Sequence, residues 1–305
     1  MIDITLNNVT KNYGQNRGVF NIDFKINKGE IFGFVGTNGS GKTTTIRQIM
    51  GFIKPNAGNI DIRGKDAYKQ ATETKEYTGY VPGEIAFPDL RTGFSFIKSQ
   101  AEFWQIKDLS YVDELIKILQ IDLRANPRKM SKGMKQKTAI IAALMNDSDI
   151  LILDEPTNGL DPLMRKKFLD ILEKEKAKGK TILISSHVFQ ELEELCDKVA
   201  LIKDGKIIDI VAMADIRNPK IREFKIEFMD KLEFDQFKKL PYKFIRIKEN
   251  LNQVIIKVKI EDIKKLFQDL SPFKLKFIAE NKYNLEKYFK EKFNRLVEGD
   301  EIDDK

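Results

Sequence analysis

One cysteine, Cys196, and one histidine, His187, are present among 305 residues. A single thiol excludes an internal disulfide and a cysteine-rich zinc site, and it fits the reducing cytosol. No apolar run approaches the ~18 residues that a membrane helix requires; the longest is Ala139 to Met145. A secretory signal is also missing, since the chain starts on the alternating pattern of Ile2, Ile4 and Leu6. These absences predict a soluble chain with no membrane span of its own, so that any membrane step needs a separate subunit. The net charge of +7 admits a nucleic acid or an anionic leaflet as partner. Acids are interspersed with the lysines, however, and the reading is a solvated basic surface with no nucleic acid bound.

What is there points to a globular protein, at 42% hydrophobic and 32% charged residues, and its length predicts two domains. Residues 1–35 read as β-rich: Phe20, Ile22, Phe24 and Ile26 alternate with polar neighbours, the period of a half-buried strand. From about Thr92 to Met145 the period becomes helical, with Val112, Leu115, Ile116 and Leu119 on one face. Ile150 to Leu153 and Thr181 to Ile184 are short continuous apolar runs, the type buried on both sides in a parallel sheet. A helical stretch from Pro162 to Lys178 separates them. Strands alternating with helices predict an α/β fold with a mainly parallel sheet. Near residues 213–220 the texture changes, which places a domain boundary after 216. Residues 217–305 carry 22 Lys plus Arg against 17 Asp plus Glu. Their order of strand, helix, strand, strand, helix, strand is that of a ferredoxin-like α+β domain, followed by a last helix at 284–294. Phe224, Phe228, Phe234, Phe237, Phe244, Phe267, Phe273, Phe277, Phe289 and Phe293 are read as its core. The acidic tail 298–305 reads as frayed.

The stretch Gly36-Thr37-Asn38-Gly39-Ser40-Gly41-Lys42-Thr43 fits the phosphate-binding pattern G-x-x-x-x-G-K-[ST]. It comes after an expected strand, Ile31 to Val35, and opens an expected helix at Thr44. Glycines allow successive backbone N–H groups to converge on one anion, and the helix N-terminus adds a positive dipole end. In this pattern Lys42 reaches the β- and γ-phosphates of ATP and the Thr43 hydroxyl binds Mg²⁺. Asp154 and Glu155 close the apolar run 150–153, at the strand end that borders a nucleotide crevice. Asp154 is placed to hold Mg²⁺, and Glu155 to orient or deprotonate the attacking water. His187 comes after another strand on the same expected edge, near the γ-phosphate.

In this order the motifs resemble those of the ATP-binding cassette (ABC) family, over about residues 2–212. The narrowing element is Met130-Ser131-Lys132-Gly133-Met134-Lys135-Gln136, which is similar to the family's signature motif L-S-G-G-Q. Gly159-Leu160-Asp161 matches the loop after the catalytic Glu, His187 the switch histidine, and Tyr13 the aromatic residue that stacks on adenine. The resemblance implies a RecA-like core with an N-terminal antiparallel part and a helical subdomain at about 86–145. It also implies an ATPase that works as a head-to-tail pair of cassettes, of one kind or two. Ser131 and Gly133 would then meet the ATP held by the partner's phosphate loop. A separate transmembrane permease would be driven from the cytoplasmic face of the cell membrane, to which the chain is peripheral. Between Tyr80 and Gln105, where family cassettes receive the permease, Phe87, Phe94, Phe96 and Trp104 are candidates for an apolar groove.

Two positions depart from the family pattern. Lys132 and Met134 stand where Gly and Gln are usual. Gly83 stands where a Gln ordinarily reaches the metal, with Glu84 beside it as a possible substitute. Both departures are similar to cassettes of bacterial exporters of antimicrobial peptides and drugs, of the bacitracin-resistance type. Export is therefore the leading expectation. An importer motor with residues 217–305 as a ligand sensor is the second, and a soluble ABC ATPase on ribosomes or DNA the third. Residues 217–305 are expected to regulate the cassette or to stabilise its dimer.

Overall fold

The computed structural model describes residues 1–297, so the acidic tail 298–305 lies outside the described residues. The chain divides into two compact units, Met1–Ala212 and Met213–Lys305. The division falls slightly ahead of residue 216, because the last strand of the first unit already ends at Ala212.

The first unit opens with β1 (Ile2–Gly14), β2 (Arg17–Asn27), β3 (Ile31–Val35), α1 (Lys42–Ile49), β4 (Ala57–Ile62), β5 (Lys65–Asp66), α2 (Ala71–Lys75) and β6 (Thr78–Val81). Three helices come next, α3 (Gly93–Phe103), α4 (Ser110–Leu119) and α5 (Lys132–Leu144). Then come β7 (Ile150–Asp154), α6 (Pro162–Ala177), β8 (Thr181–Ser186), α7 (Phe189–Leu195), β9 (Lys198–Lys203) and β10 (Lys206–Ala212). The six-stranded sheet has the order β10-β9-β3-β8-β7-β6, parallel except for β10. Every residue of β3, β7 and β8 is buried, as continuous apolar runs require. A second, antiparallel sheet has the order β2-β1-β4-β5.

One core joins the two sheets and α1: Phe24 from β2 stacks on Phe32 from β3 at 4.9 Å, with Ile4, Leu6, Ile46 and Ile49 around them. Each such side chain contributes about 1.5–3 kcal/mol on burial. Because β3, β8 and β7 are parallel neighbours, their C-terminal ends share one edge. That edge carries the loop after Val35, the residue after Asp154 and the residue after Ser186.

The helical segment is tied to the core by a buried carboxylate. Glu175 of α6 is 1% exposed and accepts the Tyr111 hydroxyl of α4 at 2.7 Å. Lys178 lies at 2.7 Å from the same oxygen and Lys180 at 2.5 Å from the other. Lys180 also reaches Asp147, after α5, at 2.5 Å. Burial opposes ionisation of Glu175, but the bonds from Lys178, Lys180 and Tyr111 outweigh it and hold the carboxyl below its usual range.

The second unit contains α8 (Met213–Arg217), β11 (Ile221–Phe228), α9 (Lys231–Phe237), β12 (Lys243–Lys248), β13 (Gln253–Lys259), α10 (Ile263–Leu270), β14 (Leu275–Asn281) and α11 (Leu285–Val297). Its antiparallel sheet runs β12-β13-β11-β14, which is the ferredoxin-like arrangement. Phe224, Phe228, Phe234 and Phe237 form its core, with Phe244 and Phe273 against them. Phe277 stays outside that core, half-buried with Lys225 Nζ 5.1 Å from its ring centroid, and Phe267 does not join it either. Phe267 is 51% exposed and meets Phe224 edge-on, because Leu266 and Leu270 take the buried face of α10.

Candidate functional site

A cleft of about 950 Å³ opens at the shared strand edge of the first unit. The loop between β3 and α1 forms its floor, and α1 starts at Lys42, two residues earlier than the periodicity places it. Gly41 has φ +112°, and a Cβ there would stand 2.5 Å from Val19 Cγ1, so only glycine fits this turn. Asn38, Gly39, Gly41, Lys42, Thr43 and Thr44 line the cleft, whereas Gly36 and Ser40 do not. The turn at Asp204-Gly205 closes on the loop through a bond from Gly205 N–H to the Ser40 carbonyl.

Lys42 is 5% exposed and donates to the carbonyls of Gly36 at 2.8 Å and Thr37 at 3.3 Å. Its Nζ is also 3.3 Å from Glu155 Oε1, while Glu155 Oε2 is 2.6 Å from His187 Nδ1. A cation, a carboxylate and an imidazole thus form one chain of contacts. Glu155 has φ +49°, a strained conformation for this residue type, and its N–H donates to Ser185 Oγ at 2.9 Å.

Asp154 is fully buried. Its Oδ1 accepts the Ser185 hydroxyl at 2.7 Å, and Oδ2 has no hydrogen-bond partner among the described residues. Burial raises its proton affinity above the usual carboxylate range, with Glu155 adding to the effect, against the Ser185 bond and the nearby Thr43 hydroxyl. Gly83 closes over this oxygen, since a Cβ at Gly83 would lie 2.9 Å from Asp154 Oδ2. Buried polar atoms are nearly always paired, so the orphan oxygen marks a place for a cation or water. One carboxylate and one hydroxyl suit a hard cation that takes its remaining ligands from phosphate and water. The described residues contain no group of three or more His, Cys, Asp or Glu side chains that would hold a metal unaided.

Of the other expected positions, two more belong to the cleft. Tyr13 is 54% exposed and lines it, with Lys11 Nζ 5.6 Å from its ring centroid. Glu84 also lines it. Ser131 caps α5, its hydroxyl accepting Met134 N–H at 3.2 Å. Gly133 packs against Gly159, where a Cβ would meet the Gly159 carbonyl at 2.7 Å. Neither Ser131 nor Gly133 lines this chain's cleft, although Lys132 between them does. Asp161 is outside it as well. It caps α6 by accepting Met164 N–H at 2.9 Å, which holds its carboxyl below the usual range. Arg17, Arg47, Asn158, Asp204 and Gly205 line the cleft and have no signature in the sequence. A separate apolar groove of about 280 Å³ is lined by Phe52, Tyr80, Phe87, Phe96 and Trp104. Phe94 is exposed and does not line this groove.

A phosphate-binding loop, an Asp-Glu strand end and a histidine on one edge of a parallel sheet define a P-loop ATPase domain. The ABC transporter family model matches residues 19–158. The bacitracin transport ATP-binding protein BcrA of Bacillus licheniformis is 36% identical, over 75% of this chain and 76% of that protein. A Nod factor export ATP-binding protein I of Burkholderia orbicola (strain AU 1054) is 35% identical, over 67% and 69%. Among solved structures, the ATP-binding subunit of an ABC transporter superposes with a TM-score of 0.63 at 28% identity, covering 70% of this chain and 92% of that one. The chain belongs to the ABC transporter family as an ATP-binding subunit, and it is an ATPase. No helix among the described residues is long and apolar enough to cross a membrane.

Proposed function

We propose that the chain is the motor of an exporter of amphipathic peptides or drugs, acting through a separate permease at the cytoplasmic face of the membrane. The observation that supports ATP hydrolysis most directly is the Lys42–Glu155–His187 chain beside the unpaired oxygen of Asp154. Lys42 and the loop N–H groups bind the β- and γ-phosphates, and Tyr13 receives adenine on its exposed ring. Thr43 and Asp154 would hold Mg²⁺, which would neutralise charge on the phosphate oxygens. Glu155 orients the attacking water and takes its proton, and His187 faces the γ-phosphate. Ser131 and Gly133 do not line this chain's own cleft, which suits contact with ATP on a second cassette. Export is supported by the relatives named for bacitracin transport and Nod factor export. Disrupting the gene in its host tests this reading. Increased sensitivity to bacitracin-like peptides supports export, while unchanged sensitivity with impaired uptake of a nutrient supports import and ends the proposal.

Glu84, which lines the cleft beside Gly83, is proposed as the outer-shell partner that Mg²⁺ would have where Gly83 offers no side chain. Glu84→Ala is expected to raise the Mg²⁺ concentration needed for half-maximal turnover by about tenfold, in the range of outer-shell metal partners. An unchanged Mg²⁺ titration of ATPase activity removes Glu84 from the mechanism.

A further inference from the structure

Glu191 lies on α7, one turn beyond His187, and is 3% exposed. Its Oε2 accepts two hydroxyls, Thr157 Oγ1 at 2.9 Å and Ser186 Oγ at 2.9 Å. Ser186 Oγ in turn accepts the N–H of Val188 at 3.0 Å. The other oxygen, Oε1, is 2.9 Å from Arg165 Nε in the first turn of α6, an ionic contact out of line for a hydrogen bond. Thr157 is two residues past Glu155, and Ser186 immediately precedes His187. One buried carboxylate therefore grips both segments that carry the reactive pair, at the point where they leave β7 and β8. Removing a carboxylate from water is costly unless its oxygens are well engaged. Here the engagement lies where the backbone needs outside support, since Glu155 sits at φ +49°. Glu191 does not line the cleft.

We propose that Glu191 is a positioning residue for ATP hydrolysis: through Thr157 and Ser186 it holds the Glu155 carboxylate and the His187 imidazole at 2.6 Å from each other. The inference rests on the reading of Glu155 and His187 as the hydrolytic pair. Without Glu191 the Thr157 and Ser186 hydroxyls lose their common acceptor, and the two loops relax independently. Glu191→Ala is expected to lower turnover about 30-fold and leave ATP affinity within about twofold, because misplacing a positioned group by ~1 Å costs ~100-fold in rate. Glu191→Gln keeps one carbonyl that accepts both hydroxyls, so it recovers the rate to within about fivefold of wild type.

A second readout separates positioning from general loosening. His187 is the only imidazole in the chain, so its ring resonances are assigned without ambiguity. In nucleotide-free protein, Glu191→Ala should move them toward their positions in Glu155→Gln, and the double variant should add nothing further. Glu191→Asp, which keeps the charge one methylene shorter, serves the same test where the alanine variant does not fold. The proposal is overturned by unchanged turnover in Glu191→Ala or Glu191→Asp, or by slowed turnover with the ring signals unmoved. A Glu155→Gln protein that keeps its full rate would instead remove the reading on which the inference rests.

Discussion

Glu155→Gln lowers ATP turnover by about 1,000-fold and leaves ATP bound, if Glu155 is the group that takes the proton from the attacking water. The amide is isosteric. The Glu155 N–H to Ser185 bond is made by the backbone and is kept, as is the strained φ that aims the side chain. Lys42 loses its ionic contact at 3.3 Å and is left free to engage phosphate. Phosphate release and light scattering on the same sample check both halves of the prediction. A shift from monomer to dimer in Mg·ATP supports a composite site built from two copies of this chain. No shift, with ATP still bound, points to a second kind of cassette or to a need for the permease. Loss of ATP binding contradicts the assignment of the site.

The second large effect is on stability. Glu175→Ala removes the acceptor shared by Tyr111, Lys178 and Lys180, and it leaves the 6%-exposed Lys180 with Asp147 as its remaining partner. Breaking a buried ionic cluster from one side costs about 3–5 kcal/mol. Denaturant unfolding at neutral pH measures it as a lower midpoint. The pH dependence carries a sign. The carboxyl of Glu175 is held below its usual value of 4.5 in the folded chain. Its contribution is fully present above the unfolded value and is lost as pH falls through the folded one. The gap between wild type and Glu175→Ala therefore narrows on acidification below about pH 4.5. A gap that stays constant into strong acid would contradict the assignment.

Much of the site was legible because its residues lie at strand ends. The runs Ile31–Val35, Ile150–Asp154 and Thr181–Ser186 are apolar enough to announce buried parallel strands. Parallel strands deliver the residues after them to a single edge. That logic places Lys42, Glu155 and His187 together without any knowledge of strand order. It fails for groups whose role depends on tertiary neighbours. Glu191 looks like an ordinary helix-surface acid until Thr157, 34 residues away, is brought to it. Tyr111 and Glu175 are 64 residues apart and meet only because α4 packs beside α6. Asp204 and Gly205 lie in the turn between β9 and β10, and only the sheet order brings that turn against the phosphate loop. In the second unit, alternation and helical period revealed the order of elements. Phe267 was misplaced because aromatic character alone does not say which face of α10 is buried.

The close approach of Gly83 to Asp154 bears on which side chains position 83 can carry. Position 83 has no side chain, and the space one would need is already taken by a carboxylate oxygen 2.9 Å from where the Cβ would start. With the backbone as it stands, a glutamine at 83 and Asp154 in its present place are mutually exclusive. Any side chain placed at 83 is thus coupled to Asp154, far away in sequence, and it can be accommodated only if that carboxylate shifts.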